Sequence, residues 1–99
     1  MQMDKTPLEL TIQGLELGPF RCMMVAKNLA FNNSLLAVDI SRCGVEDNEG
    51  VSLAKMVKKN GCLRKLDPEG NLLGPHSAAE FGKALLVNKT LKTLNLESN

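Results

Sequence analysis

The sequence predicts an α/β solenoid arc of strand–turn–helix units, each 28 residues long. Two observations carry that expectation. Leu35, Leu63 and Leu91 recur at a fixed interval, with Pro7 at the same phase one period earlier, and no insertion or deletion interrupts the register. Within each period the apolar spacing changes from the alternation of a half-buried strand to the three-and-four spacing of a helix. Composition adds a third. With 3 Phe and no Trp or Tyr among 99 residues, any core must be aliphatic.

The elements follow in order. Leu10, Val38, Leu66 and Leu94 share one phase, and Ile12, Ile40, Pro68 and Leu96 share the next inward one. Strands are therefore expected at 9–12, 37–41, 65–69 and 93–97. Helices are expected at 20–31, 48–59 and 76–87, with Leu53, Ala54 and Val57 inward in the second and Phe81 and Leu85 inward in the third. Pro19 and Pro75 suit a first helical turn, and Ser77-Ala-Ala-Glu80 reads as a capping box. Asp47 and Glu49 are placed to complement a helix dipole, and the recurrent Asn32, Asn60 and Asn88 suit left-handed closing residues. Pro68 conflicts with its phase, because proline has no N–H for an interior strand ladder. One unit cannot bury both its faces alone, so stacking is required. The chain reads as one domain, 1–99, with repeats at about 7–34, 35–62 and 63–90 and a partial one at 91–99.

The stretches Leu35-x-x-Val38-x-Ile40-x-x-Cys43, Leu63-x-x-Leu66-x-Pro68-x-x-Asn71 and Leu91-x-x-Leu94-x-Leu96-x-x-Asn99 resemble the leucine-rich repeat signature. The constant length and helical second half resemble the ribonuclease-inhibitor-like class, and the ending from Thr90 to Asn99 resembles tropomodulins, which cap actin filaments. The resemblance implies parallel strands on a concave face, helices on a convex face, and binding on the concave face or its rim. It also implies that the residue at the phase of Cys43, Asn71 and Asn99 hydrogen-bonds backbone groups in the turn.

On that frame the outward strand residues define a candidate partner-binding face: Asp39, Ser41, Lys65, Asp67, Glu69, Asn95 and Glu97, with Glu9, Thr11, Ala37 and Thr93 beside them. Five carboxylates against one ammonium make it acidic while the chain as a whole carries +1, so a protein partner with a basic segment is expected. Lys27, Lys55 and Lys83 form a column along the helices, thickened by Lys58 and Lys59, and read as a solvated face.

The three cysteines have no metal-ligand spacing and read as structural free thiols, and the single His76 reads as a helix-start residue. No phosphate loop, catalytic set or calcium loop can be assembled. The expectation is therefore a non-enzymatic, cytoplasmic protein-binding module with no catalytic residue, metal or cofactor, and no nucleic-acid or membrane partner. The alternatives are regulation of a small GTPase, as the resemblance to Ran GTPase-activating proteins implies, and actin pointed-end capping, as the tropomodulin resemblance implies. Because the fourth strand leaves an edge uncovered, a fragment of a longer array, or self-association through that C-terminal edge, is also expected.

Overall fold

The computed structural model describes residues 8–99; the Pro7 phase of the repeat lies outside them. Strands β1 (Glu9–Thr11), β2 (Ala37–Asp39), β3 (Lys65–Asp67) and β4 (Thr93–Leu94) alternate with helices α1 (Gly18–Ala30), α2 (Asp47–Lys59) and α3 (Pro75–Val87). The four strands form one parallel sheet in chain order. Leu10 pairs with Val38, Val38 with Leu66 and Leu66 with Leu94, so the ladder register is the sequence period itself. Val38, Ile40 and Leu66 on the sheet meet Leu53, Ala54, Val57, Phe81 and Ala84 from the helices in one buried core. Each large apolar side chain buried there stabilises by roughly 1.5–3 kcal/mol.

Two asparagine columns staple neighbouring units. Asn60 accepts from the Cys62 and Leu63 amides and donates to the Leu29 and Asn32 carbonyls of the preceding unit. Asn88 repeats the pattern with Thr90, Leu91, Val57 and Asn60. The expected left-handed closure is thereby corrected. Asn60 and Asn88 are extended, at φ −70° and −69°, and their side-chain amides reach back to carbonyls of the preceding unit.

The second column lies at the turn after each strand. Asn71 accepts from Cys43 and Val45 N–H and donates to the Ile40 and Pro68 carbonyls. Cys43 keeps half of this role: its thiol donates to the Ile12 carbonyl at 3.0 Å. The amides of Leu15 and Leu17 instead find the backbone carbonyls of Ile12 and Cys43. The thiol replaces the donor, and the main chain replaces the acceptor.

The strands are shorter than alternation suggests. The side chains of Asp39, Asp67 and Asn95 turn back onto the backbone two residues on, which ends extended pairing. Leu85 is another correction: it is 46% exposed on α3, which has a neighbouring helix on its α2 side only among the described residues.

Pro68 is fully buried and points inward at the phase of Ile40. Ile12 and Ile40 donate to Asp39 and Asp67 carbonyls; Pro68 has no N–H to give the corresponding Asn95 carbonyl, and β3–β4 pairing stops one residue early. It resumes with Gly70 donating to Glu97 at 3.0 Å. Pro68→Leu restores a donor and an aliphatic group, so its thermal midpoint is expected to rise, by roughly 1 kcal/mol in stability. A midpoint at or below the parent's would mean that the cavity is shaped to the proline ring.

Candidate protein-binding face

Among the described residues the sheet leaves one face free of helices, and Asp39, Lys65 and Asp67 of the expected outward residues come together there. Asp39 and Asp67 are register partners on adjacent strands, with Lys65 beside Asp67 on β3. With Glu9, Thr11 and Ala37 they line a shallow depression of about 110 Å³. Asn95 extends the column and donates to Glu69 Oε2 at 3.1 Å, which fixes that carboxylate at the face's far side.

Ser41 is only 3% exposed and drops out of the face. Its amide and hydroxyl both donate to Asp39 Oδ1, at 2.9 and 2.6 Å, so it orients Asp39 from beneath. The Ser41 hydroxyl is the main reason the Asp39 carboxyl is held below its ordinary value, and Arg42 and Lys65 add to the effect. Arg42 escaped the alternation because it lies in the turn after β2, at φ 52°. It places a second cation beside the carboxylates, and the face is less uniformly acidic than the strand residues alone suggest.

Among the described residues, Asp47, His76 and Ser77 form the one cluster that contains a serine, a histidine and a carboxylate. The carboxylate lies between the other two. Ser77, 0% exposed, gives its proton to the Asp47 carboxylate (2.6 Å) or main-chain oxygen (2.7 Å), while the imidazole stands in solvent. No nucleophile faces outward. Asp47 also accepts from the Gly74, His76 and Ser77 amides, so it caps α3 from the first residue of α2. The expected capping box is thus corrected: Ser77 is inside the helix, and Glu80 pairs with Lys83 at 3.3 Å.

These donors, led by the Ser77 hydroxyl, hold the Asp47 carboxyl well below the usual carboxylate range. A depressed folded value contributes stability that is present above the unfolded value, near 3.8, and is lost as pH falls toward the folded one. The thermal midpoint is expected to be flat from pH 7 to about 4 and to fall below that. Asp47→Asn should melt lower at pH 7 and decline less steeply in acid. Parallel curves for the two chains would assign the acid loss to other carboxylates.

All three cysteines are free. Burial, the largest influence, pushes the Cys22 thiol up to about 11, and the Cys62 thiol donates to the Asn33 carbonyl. Among the described residues no group of three or more His, Cys, Asp or Glu could hold a metal, and no helix is long and apolar enough to cross a membrane. β4 forms one edge of the sheet, with Leu91 and Leu94 partly buried and Leu96 38% exposed.

Comparison with known structures gives the same architecture. The structure titled leiomodin-1 actin-binding site 2 superposes with a TM-score of 0.87 at 20% identity, over 92% of this chain and 53% of that one. The tropomodulin C-terminal domain of Caenorhabditis elegans superposes with a TM-score of 0.85 at 18% identity, over 97% of this chain and 58% of that one. The chain therefore spans a little over half the length of each. At these identities the likeness shows the fold, an α/β, leucine-rich-repeat-like stack with a parallel sheet. No protein-family model matches the sequence, and no curated protein matches it.

Proposed function

We propose that the chain is a non-enzymatic protein-binding module whose open sheet face takes a basic segment of a protein partner, and that the partner is actin. The 28-residue ladder register supports placing it in the ribonuclease-inhibitor-like class of repeats. The observation that carries the binding reading is the Asp39–Asp67 pair. Two carboxylates stand on directly opposed residues of neighbouring strands, each an acceptor fixed by its own turn. A lysine or arginine head placed between them would pair with both, and the short strands and their side-chain turns hold both groups in place before the partner arrives. The structural neighbour titled an actin-binding site favours actin over other partners that carry a basic segment. An actin partner implies a cytoplasmic setting.

The variant Asp39→Asn/Asp67→Asn/Glu69→Gln tests this without disturbing the turns, because Asn95 already makes the same turn with an amide. Stability is expected to change by less than about 0.5 kcal/mol per site. Affinity for monomeric actin, measured by fluorescence titration, should fall roughly tenfold or more. Unchanged affinity would move the contact off the sheet face, and no binding by the parent chain would exclude actin.

A further inference from the structure

On the opposite side of the molecule, α1 and α2 enclose a groove of about 610 Å³ that the sheet-face reading does not use. Its floor is apolar: Met23, Ala26 and Ala30 from α1 face Met56 from α2. The two alanines supply no bulk, which is what opens a valley between two otherwise packed helices. Met23 is 41% exposed and Phe31, at one end, is 76% exposed.

The charged residues on its rim are all lysines. Lys27, Lys55, Lys58 and Lys59 line the groove with Ser52 and with Val87 of α3, and no carboxylate among the described residues does. None of these four lysines forms an ion pair among the described residues, where Lys83–Glu80 and His76–Asp47 are the pairs present. α1 carries no acidic residue, and those of α2, Asp47 and Glu49, lie in its first turn, away from the lysines at Lys55 to Lys59. Lys59 Nζ stands 5.8 Å from the Phe31 ring centroid, so it overhangs the apolar end instead of reaching away from it. Lysines near helix ends do complement the helix dipole. The dipole does not account for the exposed methionine and phenylalanine beneath them.

We infer that this groove docks an amphipathic helix of a protein partner, with its apolar stripe on the Met23–Met56 floor and Asp or Glu side chains flanking that stripe against the lysines. The spacing suits a helix ligand. Met23, Ala26, Lys27 and Ala30 fall at i, i+3, i+4 and i+7, as do Ser52, Lys55, Met56 and Lys59. Two parallel ridges of that kind leave a trough for a third helix read through its own i, i+3, i+4 and i+7 positions. Charge complementarity selects the acidic class, since a basic helix would meet four unpaired ammonium groups. This site is separate from the sheet face, and its occupancy is independent of actin binding.

The test uses the whole chain and two labelled peptides of identical Leu, Glu and Ala composition. One places leucines at helical spacing with glutamates on both flanks; the other is scrambled to break the period. In fluorescence anisotropy the periodic peptide is expected to bind, and the scrambled one to bind at least about tenfold more weakly. Lys55→Glu/Lys59→Glu, both exposed sites, should weaken the periodic peptide roughly tenfold, with the circular dichroism spectrum unchanged. Lys55→Gln/Lys59→Gln serves if the reversed pair does not fold, with a smaller loss in the same direction. Equal binding of the two peptides, no binding of either, or affinity unmoved by the lysine variants would overturn the assignment. So would co-sedimentation with phosphatidylserine vesicles in place of peptide binding, which would make the lysines a lipid-facing surface.

Discussion

Asn71→Ala is expected to lower stability more than any other single substitution considered, by about 3–5 kcal/mol, because it leaves several buried polar groups without partners at once. The Asn71 amide satisfies two N–H groups, of Cys43 and Val45, and two carbonyls, of Ile40 and Pro68, and it is itself buried. Asn71→Cys should lose less. At Cys43 the thiol still serves a carbonyl and the main chain has taken over the acceptor role, so the fold can accommodate a half-substitute. Urea denaturation followed by circular dichroism measures both. An alanine variant within about 1 kcal/mol of the parent would mean the staple is dispensable.

Gly50→Ala is expected to destabilise by roughly 1–3 kcal/mol, although alanine is the better helix former by about 1 kcal/mol. Gly50 lies in α2 against Ser77 of α3. A methyl group there would collide with the Ser77 hydroxyl and a Leu73 methyl. Ser77 cannot swing aside without releasing Asp47, so the collision is transmitted to the α3 cap. Helix propensity and interhelix crowding therefore predict opposite signs, and the collision, with little room to relax, decides. A rise in melting temperature would show that α2 and α3 stand further apart than described.

The repeat was legible because stacked units must present the same apolar positions to the same neighbours. That constraint acts on Leu35, Leu63, Leu91 and their companions whatever else the chain does, and it wrote the ladder register into the spacing. Features that cross between units in only one place left no such trace. Asp47 holds the phase of Pro19 and Pro75. Read locally it is an ordinary helix-start acid, and its cap on α3 joins residues 27 to 30 positions apart. The asparagine columns were visible as columns, but their role depends on which unit the side chain reaches. Ser41 failed for a related reason. Alternation assigns it outward, whereas the turn made by Asp39 ends the strand and draws the serine beneath the face. The lysine column was equally visible, while the apolar trough it borders exists only once α1 and α2 lie side by side.

Carboxyl footprinting of the chain with and without monomeric actin tests the central proposal most directly. Carbodiimide labelling reads each exposed carboxylate separately, so the sheet face and the helical side are scored in one experiment. The proposal predicts that Asp39, Asp67, Glu69 and Glu97 lose labelling when actin is present, while Glu46 and Glu80 label as before. Protection confined to Glu46 and Glu80, or no change at any carboxylate under saturating actin, would contradict it.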